Sequence, residues 1–182
     1  MSRTAARRAG LGVMVSVLLL ASGCGTTEQE PLEAMDPVAP ADLCALVPEA
    51  TKAGLVTTAS VDETGNPTAA CSLRSAPGAA TQVSGVVTWV KLNDEESADR
   101  AFDSQCQAMD PGEYRKQTGF QAEGADEACA GDAAAADAAT VAAVQDVEVL
   151  TVRLTSAPAG RPAALARSQA MLEGVLSEMG SS

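Results

Sequence analysis

From residue 41 to residue 182 the sequence predicts an α+β fold: an antiparallel β-sheet with helices packed on one face and two disulfides. Three observations carry that expectation. Apolar residues alternate with polar ones along short segments bounded by turn residues, the period of half-buried strands. Helical spacing of apolar residues appears between Asn93 and Met109, and again beyond Pro162. Four cysteines, Cys44, Cys71, Cys106 and Cys129, complete the picture. Hairpin-linked strands with helices at each end point to helices laid on an antiparallel sheet. No internal repeat is visible.

Taken in order, Asp42 caps a short helix through Leu46, and Pro48 opens a second helical turn that ends at Gly54. Residues 55–61 and 68–75 read as strands around the turn DETGNP. The run VSGVVTWVKL, 83–92, is apolar on both faces, as suits a strand in the middle of a covered sheet. Asn93 with Glu96 forms a capping box that opens a helix to about Met109. Its inner face carries Ala98, Phe102, Cys106 and Met109, with Asp94, Glu95, Asp99 and Arg100 outside. DPGEYRKQTG, 110–119, reads as loop, and 123–136 holds mostly small residues and acids. Residues 140–145 and 147–155 form a hairpin with Asp146 at its turn. In its second strand Leu150, Val152 and Leu154 alternate with Thr151, Arg153 and Thr155. Pro158, Gly160 and Pro162 break the chain before a closing helix that spaces Leu165, Leu172, Val175, Leu176 and Met179 helically.

An even cysteine count in an exported chain argues for disulfides. Sequence allows three pairings; Cys44–Cys71 with Cys106–Cys129 is favoured because each joins a helix to a following strand or loop. Zinc is the rival reading, but no C-x-x-C pair and no histidine are present. Bridges matter here because only Trp89, Phe102, Tyr114 and Phe120 supply aromatic bulk to an alanine-rich core.

Export itself is read from the first forty residues. Residues 1–23 form a signal peptide: Arg3, Arg7 and Arg8 precede an apolar run from Leu11 to Ala21, and no acid occurs before Glu28. The run is too short for a membrane span, which needs roughly 20 apolar residues. Leu20-Ala21-Ser22-Gly23-Cys24 resembles the bacterial lipobox. The resemblance implies diacylglyceryl transfer to the Cys24 thiol, cleavage after Gly23, and a palmitate-type acyl anchor. Arg7-Arg8 leaves a twin-arginine signal open beside the general export route. Residues 24–40, with four acids and three prolines after Cys24, read as a solvated tether. Sixteen such residues reach about 50 Å when extended.

Charge then excludes whole classes of partner. The chain carries 12 Lys+Arg against 24 Asp+Glu, net −12. Loss of the three leader arginines leaves 9 against 24, net −15. Nucleic acid needs a basic footprint, and anionic headgroups would repel this surface. Membrane attachment therefore falls to the lipid on Cys24, where two or more acyl chains hold stably.

The arrangement resembles the small cysteine-containing lipoproteins of actinobacteria, a family of unknown function. The likeness rests on Asp42-Leu43-Cys44-Ala45-Leu46-Val47, on Ala70-Cys71-Ser72-Leu73, and on the turn Gly124-Ala125-Asp126-Glu127-Ala128. A closing strand and an alanine-rich helix, Val147 to Met179, complete it. The chain departs from the family pattern at Leu73, Ala125 and Cys129. The resemblance thus implies a cell-envelope location and the Cys44–Cys71 bridge, and it implies no activity.

Without histidine, Ser-His and Cys-His nucleophile systems and histidine-ligated metals are excluded. No redox C-x-x-C, Walker loop or dinucleotide glycine pattern appears. Carboxylates remain: Glu123, Asp126, Glu127 and Asp132 crowd ten residues. They read as a calcium loop, a glycosidase acid pair, or simply a solvated acidic turn. Trp89 with Tyr114 forms a candidate ligand pocket, although a lone tryptophan in an apolar strand is also what a core contains. No cofactor is expected. The sequence reading is a non-enzymatic binding or accessory lipoprotein, anchored at the extracytoplasmic face of the cell membrane. Its partner would be a small ligand or an envelope protein. A carboxylate-dependent hydrolase of envelope polymers is one alternative. The other is an extracellular sensor or docking domain, which requires an apolar cleft between sheet and helices near Trp89.

Overall fold

The computed structural model describes residues 39–109, 114–116, 119–133 and 137–180; for 114–116, 132 and 133 it describes the backbone only. Cys24, the expected signal peptide and nearly all of the expected tether lie outside the described residues.

Local chemistry starts each element. Asp42 Oδ1 accepts from the Ala45 N–H at 3.3 Å and opens α1, Leu43–Leu46. Pro48 precedes α2, Glu49–Lys52. Lys52 Nζ turns back and donates to the Cys44 carbonyl at 2.9 Å, tying the two short helices together. Gly54, at φ +75°, makes the bend into β1, Leu55–Asp62. Asp62 Oδ1 then accepts from Thr64 N–H and Oγ1–H at 2.9 and 2.6 Å, closing the turn to β2, Thr68–Ser75. Ser75 Oγ accepts from the Val83 N–H at 2.8 Å and so closes the loop to β3, Gln82–Lys91.

Helix α3, Glu95–Ala108, begins one residue later than the sequence suggests. Asp94, not Asn93, is the cap, its Oδ1 accepting from Ser97 N–H at 2.7 Å. A carboxylate outcompetes the neutral amide because it also meets the positive end of the helix dipole. The two Ser97 hydrogen bonds, backbone first, hold the Asp94 carboxyl below its ordinary 3.8. The cap therefore acts fully above that pH and is lost as pH falls through the lower folded value.

Two strands lie where no strand was expected. β4, Tyr114–Lys116, interrupts the expected loop, and β5, Glu127–Ala133, occupies the stretch of small residues and acids. β4 is only three residues long, and β5 is built of small and acidic residues that are depleted in strands. β5 forms because β6, Ala138–Gln145, offers it a full edge, and β4 because β5 offers the next one. β6 turns through Asp146, at φ +50°, into β7, Glu148–Ala157. α4, Arg161–Gly180, closes the chain.

The result is a seven-stranded antiparallel sheet in the order β1-β2-β3-β7-β6-β5-β4, an α+β fold. Its helices lie on both faces, not on one. Strand alternation separates two cores. On one face Cys71, Leu73, Val87, Trp89, Val141, Leu150, Val152 and Leu154 pack against α1 and against Met171, Leu172, Val175 and Leu176 of α4. On the other, Ala142, Val144 and Val149 pack against Ala98, Phe102, Cys106 and Met109 at α3. The sequence assigns the two-sided burial to β3, whereas it is the run AATVAA in β6 that is buried on both faces, between α3 and α4. β3 corrects the opposite way. It is central in the sheet, yet Ser84 is exposed and Val86, Thr88 and Val90 are only half-buried, so its second face is not covered.

Each core contains one bridge. Cys44–Cys71 joins α1 to β2 with Cα atoms 5.0 Å apart, and Cys106–Cys129 joins α3 to β5 at 5.9 Å. The loops close over 27 and 23 residues. In the chain-entropy picture each bridge contributes about 3 to 4 kcal/mol. α4 is fitted to α2 by absence: a Cβ at Gly174 would sit 2.0 Å from Pro48 Cγ. Arg167 spans the same joint, Nε donating to the Thr51 carbonyl at 2.7 Å.

Gly174→Ala will therefore destabilise the protein, by about 1 to 3 kcal/mol, although the same change inside an exposed helix gains up to about 1 kcal/mol. Urea denaturation decides between the signs. Cys106→Ser with Cys129→Ser will lower the melting temperature in calorimetry, and reduction of both bridges will lower it further. A melt unchanged by reduction contradicts the contribution assigned to the bridges.

Candidate functional site

A cleft of about 490 Å³ opens on the face covered by α1 and α4. Trp89, near the end of β3, contributes to its lining. Its ladder position between Ala69 and Leu150 is imposed by the β2–β3 and β3–β7 registers. Leu46 of α1, Met179 of α4 and the segment Ala39–Ala41 complete the apolar lining. Both helices end beside Trp89, which leaves a gap that neither fills. The tryptophan is also core: only 3% of it is exposed, so the indole is held rigid while bordering the cleft.

One polar group enters this lining. Glu148, the first residue of β7, accepts the Trp89 Nε1–H at 3.1 Å through Oε2. Its other oxygen lies 3.9 Å from Lys91 Nζ. Both carboxylate oxygens are thus engaged, and the described residues of the lining include no nucleophile and no second acid. An apolar, rigid-floored cleft with one engaged carboxylate among its described residues has the chemistry of a binding site.

The other expected residues do not gather here. Tyr114 lies on β4, four strands from β3, about 19 Å across the ladder. The backbone therefore keeps it apart from Trp89. Glu123, Asp126 and Glu127 are all exposed. Asp126 Oδ2 accepts the Asp146 N–H at 2.8 Å, so this carboxylate fastens the loop before β5 to the β6–β7 turn. Glu127 pairs with Val144 in the ladder, and Asp132 lies opposite Ala139. Asp126 and Glu127 border a shallow hollow of about 310 Å³ with Glu95, Asp99 and Asp146. Even so, among the described residues no three acids or cysteines converge closely enough to hold a metal ion. The four bridge cysteines are all in disulfides, and Cys24 lies outside the described residues.

Sequence reasoning identified Trp89 but not its companions. Leu46 and Met179 belong to helical apolar patterns, and nothing local says that both helices stop short at the same indole. Glu148 carries no signal at all, because its role comes from strand register. Trp89→Ala will cost about 3 to 5 kcal/mol in chemical denaturation, as loss of a core aromatic does. Met179→Ala, at the half-buried rim, will cost less than half as much; equal losses would mean that the rim is core. Comparison with protein-family models, curated proteins and solved structures returns no match.

Proposed function

We propose that this protein is a lipid-anchored lipoprotein of the extracytoplasmic face of the cell membrane, with a binding or accessory role and no catalytic one. The observation that carries the binding role is the cleft beside Trp89, an apolar hollow between sheet and helices. It is the feature that the sensor or docking version of the reading requires. Its ligand is a small apolar molecule or an apolar side chain of an envelope partner, since among the described residues of the lining one engaged carboxylate is the only charge. The anchor rests on the lipobox-like sequence ending at Cys24 and on the acidic tether. Two disulfides agree with an oxidising compartment. Against the hydrolase alternative stand the three exposed carboxylates, of which Asp126 is engaged in holding a turn.

The test uses the full chain expressed with its own leader, recovered from membranes in mild detergent and examined by native mass spectrometry. The expected species is cleaved before Cys24, acylated there, and carries extra mass that leaves on denaturation. Met179→Trp, which fills the cleft, will remove that extra mass and keep the acylation. Unprocessed protein in the cytosol overturns the anchor. A bound mass unaffected by Met179→Trp overturns the cleft as its seat.

A further inference from the structure

The two edges of the sheet are finished differently. At one end β4 is three residues long and carries Arg115 and Lys116, the short, charged form that keeps a strand edge from pairing. At the other end β1 runs for 8 residues, LVTTASVD, with no lysine, proline or glycine and a single charge at its last position. Its pairing with β2 is continuous from Leu55↔Ser75 to Asp62↔Thr68, so no bulge turns the edge away. Among the described residues no element pairs with the outer side of β1. Val56 and Val61, 60% and 41% exposed, are the exposed large hydrophobic residues of the described chain, and both lie on this strand.

Such an edge is a template for another strand. β1 also matches its own sequence run in reverse. Residues opposite one another in a ladder share a face of the sheet, and a two-fold axis that passes through a residue, perpendicular to the sheet, preserves that sharing. Placed at Thr58, the axis sets Thr58 against Thr58 of a second copy, Thr57 against its Ala59, Val56 against its Ser60 and Leu55 against its Val61. Leu55 and Val61 then form an apolar pair on the face covered by α1, and the two Thr58 residues form a hydroxyl pair on the open face. Both are cross-strand contacts of the kind that stabilises a ladder. Asp62 and Glu63 fall beyond the paired stretch, opposite Gly54 and Ala53, where no acid meets them. An axis one residue along, at Ala59, would set the Asp62 carboxylate against Val56 instead.

We infer that β1 pairs with β1 of a second copy of this chain about a two-fold axis at Thr58, joining two seven-stranded sheets into one. The occupant is argued from this self-complementarity and from where the chain enters the domain. A two-fold axis perpendicular to the sheet keeps equivalent faces of the two copies on the same side. Ala39–Ala41, where the described chain begins, line the cleft on the face covered by α1 and α4. Both copies are therefore entered from one side of the joined sheet, as two chains anchored in one membrane require. A single strand pair is smaller than a standard interface, which takes about 20 to 30 residues a side. The association is accordingly weak in dilute solution and gains from the high local concentration of anchored copies. It does not depend on the Trp89 cleft being occupied.

The experiment introduces one cysteine at a time into the full chain expressed with its own leader, and oxidises the membranes with a copper catalyst before a non-reducing gel. Thr58→Cys will give a covalent dimer, because residues directly opposite in an antiparallel pair have Cα atoms about 4.5 to 5.5 Å apart, within disulfide reach. Ala59→Cys, also exposed, lies two residues out of register with its own copy and will crosslink at least tenfold less. Asp99→Cys, exposed on α3, gives the yield of random collision. Adding Val56→Lys and Val61→Lys to the Thr58→Cys protein will lower its dimer at least tenfold and leave its melting temperature close to unchanged. The purified protein in detergent at high concentration will give the same order of yields, and the mass of each sample reports processing at Cys24 separately. A Thr58→Cys yield no higher than that of Asp99→Cys, or an Ala59→Cys yield as high as that of Thr58→Cys, overturns the inference. So does a Thr58→Cys crosslink to a different protein, which would make the edge a seat for a foreign strand.

Discussion

Helix α3 and the short helix α1 reach the sheet on opposite faces, and each is fastened there by a disulfide. That constraint organises everything else. The residues available to pack are small: β5 and β6 bury Ala130, Ala138, Ala139, Ala142 and Ala143. An alanine methyl removes little apolar surface from water, and burial stabilises by only about 25 cal/mol per Å². Four-residue α1 has no prospect of persisting alone, since isolated helices need about 12 to 15 residues even to be marginal in water. Covalent closure replaces the missing apolar bulk by removing conformations from the unfolded chain.

The same smallness has a structural use. Alanine on both sides of β6 lets α3 and α4 approach one strand from opposite faces, and Gly85 on β3 lets Leu154 of β7 close over it. The larger residues are then concentrated along one face of β3 and β7, in Val87, Trp89, Leu150, Val152 and Leu154. α4 lies over β6 and β7 and buries its Ser168 Oγ without a hydrogen-bond partner among the described residues. The close approach of that helix is what satisfies the apolar residues around it. It also leaves its last turn, at Met179, beside the indole of Trp89, where the cleft begins.

Coverage is uneven, and the contrast between the two faces follows from that. α3 shields only the β5–β7 portion of its face, at Cys129, Ala142, Val144 and Val149. Among the described residues the neighbouring strands continue the sheet without a helix above them, and their outward positions are mostly serine and threonine, with Arg74, Arg153 and a few small apolar residues. On the other face two helices end short of one another and leave an apolar gap. One surface is polar and open, the other apolar and recessed. They suit different chemistry on opposite faces of the same sheet.

Much of this was legible in the chain alone. Strand periodicity located β1, β2, β3, β6 and β7, capping and proline signals located the helices, with α3 placed one residue early at Asn93, and the even cysteine count announced two bridges. These are local properties, written in neighbours a few residues apart. β4 and β5 were not legible, because EACAGDA is built of small and acidic residues depleted in strands and becomes a strand only when β6 presents its edge. The two-sided placement of the helices was equally hidden: alanine is compatible with either face, so composition cannot say which one a helix covers. Trp89 was conspicuous as the lone tryptophan, while Glu148, Leu46 and Met179 reach it from distant points of the chain. The open arginine-bearing face needed the register itself, because Arg74 and Arg153 are 79 residues apart in sequence. Local pattern thus determined most of the segments that form elements and roughly where they start. Pairing across the sheet decided which side chains meet, because neighbours on one face of a sheet are related by register and not by sequence distance.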